Sequence, residues 1–153
     1  MSTKEKFEEF KNSASDLNPK DLDNFFDSLE PITLEEILGE WKGGQLKTGH
    51  PIVAALEGIR WYGKTFISQL DVKPLVCVDK DGNFFSDTES MNGEASIWPV
   101  AFRDKVSTSL VYDGVPTVAH FRKVDQNTLI GIRDGKDALD QTGNYFYFFL
   151  ERN

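Results

Sequence analysis

An antiparallel β-barrel with helices at its N-terminus is the fold this sequence predicts, in one domain that is mainly β. Three observations predict it. From Trp41 onward the apolar residues recur with a period near two, in short runs broken by Asp, Gly and Asn turns. The first 38 residues instead carry apolar residues at helical spacing. Between the two regimes stands Gly39-Glu40-Trp41-Lys42-Gly43, one large aromatic between glycines at the head of the first long strand. Such a Trp can plug the closed end of a barrel, and the glycines let the chain bend and another backbone approach.

The elements follow in order. Phe7, Phe10, Ala14 and Leu17 mark a first helix. Asn18 is a good N-cap, Pro19 suits the first helical position and Asp21 favours the helix N-terminus, so a second helix begins there. Its stripe is Leu22, Phe25, Phe26 and Leu29, and Pro31 ends it. Thr33 and Glu36 form a capping box for a short third helix that Gly39 stops. Residues 1–38 are therefore expected to pack, as a helical segment, on a barrel formed by residues 39–153. Strands are predicted at Trp41–Lys47, Thr65–Leu70, Leu75–Val78, Phe84–Ser86, Glu94–Arg103, Val106–Tyr112, Thr117–Val124, Thr128–Arg133 and Tyr145–Arg152, with a short helix over Pro51–Glu57. The last strand is aromatic on both faces: Phe146, Phe148 and Leu150 on one, Tyr145, Tyr147 and Phe149 on the other. It must be covered on both sides, by the barrel interior and by the helices or a second subunit.

Composition narrows the function classes. The 153 residues carry a net charge of -8, so non-specific nucleic-acid binding and adsorption to anionic membranes are not expected. The 39% hydrophobic content and twelve Phe suffice for one packed core. No stretch is long and apolar enough to span a bilayer, and the charged start lacks an apolar signal region, so a cytoplasmic, soluble protein is expected. The lone Cys77 sits in the apolar run Leu75–Val78 and reads as an inert core thiol.

Two resemblances sharpen this reading. Trp41 near the start of the first strand and Arg152 near the end of the last form a pair that can stack, guanidinium over indole. That combination resembles the lipocalin-like (calycin) barrels and implies a structural role for Trp41 and Arg152. More specifically, Gly39–Gly43, Gly49-His50-Pro51 and Trp61-Tyr62-Gly63-Lys64-Thr65-Phe66 look like the bacterial and fungal family named for its Gly-x-Trp-x-Gly motif. Tyr112–Pro116, His120–Asp125, Gly131 and Tyr145–Arg152 look like its C-terminal half, a domain of unknown function. The resemblance implies a small β-rich domain, small hydrophobic molecules or phospholipids as ligands, and no established reaction. The family pattern has an Asp where this chain has Ala119, so no acid role carries over to that position.

Chemistry-bearing templates are few. Two His without ligand spacing make no zinc site, and Asp79–Asn83 lacks the length and terminal Glu of a calcium loop. Neither Gly43-Gly44 nor Gly131–Gly135 is a phosphate loop, and there is no Gly-x-Ser-x-Gly elbow. No metal and no cofactor is implied. The polar residues that can converge are Arg60, Lys64, Arg103, Tyr112, His120 and Arg122. On the strand Thr117–Val124, Val118 and Val124 share a face with His120 and Arg122, which predicts that these two point inward. A buried Arg needs an anion, either Asp113, Asp134 or the head group of an acidic ligand. The expected function is non-catalytic binding of a small apolar or amphipathic molecule such as a lipid or fatty acid. The alternatives are a small hydrolase or isomerase using His120 with Tyr112 and Asp113, and a homo-oligomeric scaffold, with a homodimer as the expected assembly.

Overall fold

The computed structural model describes residues 1–153. Four helices, α1 (Thr3–Lys11), α2 (Pro19–Ser28), α3 (Leu34–Ile37) and α4 (Ile52–Gly58), accompany ten strands. The strands are β1 (Glu30–Pro31), β2 (Gly39–Gln45), β3 (Trp61–Ser68), β4 (Asp71–Val78), β5 (Phe84–Ser86), β6 (Ala95–Phe102), β7 (Lys105–Tyr112), β8 (Thr117–Asp125), β9 (Thr128–Gly135) and β10 (Phe146–Arg152). The predicted caps form. Asn18 accepts from the Lys20 N–H with Pro19 at the first position of α2, and Thr33 with Glu36 closes the capping box of α3. One expectation is corrected: the first 38 residues are not all helical, because Glu30 and Pro31 pair with Lys123 and Arg122 of β8.

Eight strands close an antiparallel barrel in the order β2-β3-β4-β6-β7-β8-β9-β10, with β10 returning to β2. The seam pairs Arg152 with Trp41 and Phe148 with Gln45. The wall is thinnest between β4 and β6, which share the single pair Val72–Ala95; β5 adds to β4 outside the closed path. The β6–β7 hairpin turns on Arg103 and Asp104, both at positive φ (50° and 66°), as a two-residue type I′ turn requires.

Closure creates two apolar cores. The interior one contains Trp41, Phe66, Ile97, Leu110, Phe121, Leu129, Phe146, Phe148 and Leu150. The second lies outside the barrel wall. Phe7 of α1 and Leu22, Phe25 and Phe26 of α2 cover Ile130, Ile132, Tyr147 and Phe149 of β9 and β10. This explains the doubly apolar last strand: one face fills the barrel and the other meets the helices.

The glycines of β2 are required by close approach. A side chain at Gly43 would collide with the ring of Trp61, and one at Gly44 with the ring of Phe149. At the opening of β2, Gly39 has φ 125°, a conformation other residues reach only with strain. There Trp41 donates its indole N–H to the Ile37 carbonyl at 2.8 Å, and the Arg152 guanidinium lies 4.1 Å from the indole ring centre. Arg152 also donates to the carbonyls of Glu36 and Leu38, at 2.8 and 2.9 Å. Trp41 and Arg152 therefore close over one end of the barrel.

Candidate functional site

The opposite end is open inside. The antiparallel register brings the start of β3, the end of β7, the start of β8, the end of β9 and the start of β10 together there. They enclose a cavity of about 200 Å³. Helix α4 covers it with Ile52 and Leu56, and its C-cap Ile59 adds to them; the strands contribute Trp61, Ala119, Phe146 and Phe148, and Met91 closes in from the loop before β6. Four of the lining residues carry polar groups, Lys64, Tyr112, Arg133 and Ser90; the Ser90 hydroxyl is spent on Asp87, which leaves the first three to orient a ligand.

The local sequence explains the wall. Missing side chains at Gly43 and Gly131 leave room for the rings of Trp61 and Phe148. The Trp61 ring stands edge-on to Phe148 at 6.1 Å, and its N–H donates to the Gly63 carbonyl at 2.9 Å. His50 anchors the approach to α4. Its Nδ1 accepts from the Ile52 N–H at 3.2 Å, so its Nε2–H donates to the Ala138 carbonyl at 2.9 Å.

Lys64 is 4% exposed. Its ammonium donates to the Pro74 carbonyl at 3.2 Å and to the Tyr112 hydroxyl at 3.3 Å. The rings of Trp61, Tyr112 and Phe148 surround it with centroids 5.3 to 5.7 Å away. The Arg133 guanidinium meets only the Thr117 hydroxyl, at 3.5 Å, and its cross-strand neighbour is Ala119.

The other expected site residues lie elsewhere. Ala119 and Phe121 face the interior, so His120 and Arg122 point out through the wall toward α2, and their predicted inward face is corrected. Arg122, 1% exposed, donates to the carbonyls of Phe26, Phe102 and Arg103 at 3.0, 2.8 and 3.1 Å. Its nearest carboxylate is Asp27 at 3.9 Å, in place of the expected Asp113 or Asp134. Helix α2 has no basic residue in its own last turn. Arg122 and Lys105, which donates to the Asp27 and Leu29 carbonyls, supply positive charge at its C-terminus. Arg103 reaches the same helix, pairing with Asp23 and Asp27 at 3.2 and 3.4 Å, and Tyr147 donates to Asp23. Arg60 is exposed, with φ 55°, and donates to the Asp79 carbonyl at 2.9 Å.

His120 joins a short polar chain in this outer layer. Its Nε2 lies 2.9 Å from Asp134 and its Nδ1 2.9 Å from the Ser109 hydroxyl, while its ring stacks on Phe102 at 3.9 Å. Burial holds its pKa below the ordinary 6.5; the neighbouring Asp134 opposes this, and Arg103 and Arg122 reinforce it. The neutral ring donates from Nε2 to the carboxylate and accepts at Nδ1 from Ser109. Ser109 is 1% exposed, and neither it nor His120 lines the cavity. The expected acid–base cluster is not assembled: Tyr112 lies inside, His120 outside, and Asp113 is exposed in the β7–β8 turn. Cys77 is buried, and burial with the nearby Asp87 charge pushes its thiol up to about 11, consistent with an inert core thiol.

Of the expected ligand-binding residues, the fold brings together Lys64 and Tyr112. Sequence reasoning missed Arg133, Ala119, Met91 and the residues of α4. The available signal was the parity of β9, where Leu129, Gly131 and Arg133 share a face, but Ile130 and Ile132 make the opposite face look like the interior.

The profile of the GXWXG proteins matches residues 24–82, from α2 through β4. That of a domain of unknown function, DUF4334, matches residues 93–152, from β6 through β10. A comparison with curated proteins finds no match. Among solved structures, the crystal structure of a protein from Thermomonospora curvata is 31% identical with a TM-score of 0.88, over 100% of this chain and 99% of that one. With its two halves matched in tandem around one closed barrel, the chain belongs to the GXWXG family, in the form that carries the DUF4334 domain.

Proposed function

We propose that this protein binds a small apolar or amphipathic molecule, a short fatty acid or comparable lipid fragment, inside its barrel and without catalysing a reaction on it. The observation that carries this reading is the cavity: about 200 Å³, mostly apolar, with a few polar groups contributed by β3, β7 and β9. The Trp41–Arg152 seal at the far end makes it a blind site. Its size suits a small ligand better than a two-chain phospholipid, since an apolar cavity of ~150 Å³ is filled by benzene. A cytoplasmic location is consistent with the single buried, unpaired Cys77, and cell fractionation tests it. No helix is long and apolar enough to cross a membrane. For the expected homodimer, Trp98 and Val106 are exposed apolar side chains that an interface could cover; sedimentation would reveal it.

Native mass spectrometry of the full chain purified from cells tests the binding reading. The expected result is an adduct of small-molecule mass that disappears in Ala119→Leu, a change that fills the cavity from its wall. Bare protein, together with no thermal shift on adding 1-hexanol or benzoate, would overturn it.

A further inference from the structure

We propose that the cavity seats a small monocarboxylate, its head group held between Lys64 and Tyr112 and its apolar body against α4. This rests on the ligand-binding reading above and adds the chemistry of the ligand.

Lys64 and Tyr112 hold more donors than the protein satisfies. An ammonium has three N–H donors and no acceptor. Two of those on Lys64 go to the Pro74 carbonyl and the Tyr112 hydroxyl. Because the Tyr112 oxygen accepts from Lys64, its own O–H is left to donate, and it meets no acceptor in the protein. One N–H and one O–H, on heavy atoms 3.3 Å apart, thus remain unspent beside an apolar cavity. Lys64 also lacks a counter-charge. The ion pairs of this protein engage Lys4, Lys11, Lys73, Lys123, Arg103, Arg122 and His120, but never Lys64. Acids are not scarce, at 25 against 17 Lys and Arg.

A buried cation without an anion is costly, and aromatic faces offset only part of that cost. A carboxylate supplies what is absent: one negative charge and two oxygens that only accept. An alcohol of the same body could accept from both donors but would bring no charge, so it would leave the ammonium uncompensated and make only neutral-acceptor hydrogen bonds. A phosphate dianion would bring more charge and more oxygens than these two donors can match. Arg133, also on the lining and without a carboxylate partner, adds a second positive charge that favours entry of acids. The volume limits the body to a short chain or a single ring.

Calorimetric titration of the full chain with hexanoate, 1-hexanol, benzoate and benzyl alcohol tests this. Each acid should bind at least about tenfold more tightly than its alcohol, the worth of a charge-assisted hydrogen bond. Lys64→Met should bring acid and alcohol to parity while the alcohols still bind. Its melting temperature should equal or exceed the wild-type value, because a buried unpaired charge is deleted. Tyr112→Phe, which keeps the ring, should lose several-fold in acid affinity and less in alcohol affinity, because the bond lost to a carboxylate is charge-assisted. Equal binding of acids and alcohols to the wild type would overturn the carboxylate seat and leave the binding reading standing. An acid preference that survives Lys64→Met but vanishes in Arg133→Met would also overturn it. Failure of all four probes up to millimolar concentration would overturn both.

Discussion

His120 and Lys64 show how two buried titratable side chains with similar exposure acquire different roles. His120 has a partner on each ring nitrogen, a stacked ring and two nearby guanidinium groups. Nothing about it is left to bind. Its lowered pKa has a consequence for stability. Between the unfolded value near 6.5 and the lower folded value, the unfolded chain binds more protons than the native protein. Stability contributed by neutral His120 is therefore complete above 6.5 and declines as pH falls below it. The carboxyls of Glu36, Asp87 and Glu94, held down chiefly by hydrogen bonds from Lys123, Ser90 and Ser86, lose their contributions only as pH falls below their ordinary values of 4.5, 3.8 and 4.5. Urea midpoints measured from pH 7.5 downward should fall once as the pH drops below 6.5 and again below the ordinary carboxyl values, and His120→Gln should flatten the first limb while leaving the more acidic one. An unchanged slope in the variant would remove His120 as its source.

At the scale of elements, the helices are held by polar anchors as well as by their apolar stripes. Helix α2 ends over the outer wall, where Arg122 and Lys105 donate to its last carbonyls and to the turn after it. The Phe26 ring lies 4.5 Å from the Arg122 guanidinium. Loss of these bonds leaves carbonyls without donors, so Arg122→Leu should destabilise the protein by about 2–3 kcal/mol. Hydrogen exchange should accelerate first in residues 19–28, the part released from the wall. The variant should retain probe binding, because Arg122 lies outside the cavity. A near-neutral ΔΔG would mean that α2 is held by its apolar face alone. The β6–β7 hairpin belongs to the same assembly: Arg103, in a left-handed conformation, reaches Asp23 and Asp27 from its turn.

For the whole molecule, the division between a sealed end and an open end organises everything else. Strands β2 and β10 meet at Trp41 and Arg152, and the same guanidinium ties the seam to α3. Removing the plug should cost more than removing a residue of the cavity wall, where packing is already incomplete. Trp41→Ala should lose about 3–5 kcal/mol by chemical denaturation, as a large-to-small change in a closed core. A loss below about 1 kcal/mol would mean that the barrel closes without its plug.

The sequence by itself determined the local architecture and the division of side chains between faces. The caps at Asn18 and Thr33, the Asp79–Asn83 turn and the alternation along β10 were legible because each depends on neighbours a few residues away. The pairing of Trp41 with Arg152 was legible because the two residues lie near the start of the first long strand and the end of the last, which a closed barrel brings together. Only the tertiary structure decided which face of β8 is inside. Period two says that His120 and Arg122 share a face, and that Ala119 and Phe121 share the other, but not which one meets the interior. Ordinarily hydrophobicity breaks that tie. Here α1 and α2 bury the outer wall as well, so apolar residues stand on both sides. The cavity and the unspent donors of Lys64 and Tyr112 were likewise beyond the sequence. They depend on what six different strands and α4 fail to fill at the end away from the plug, and an unfilled space has no residue of its own.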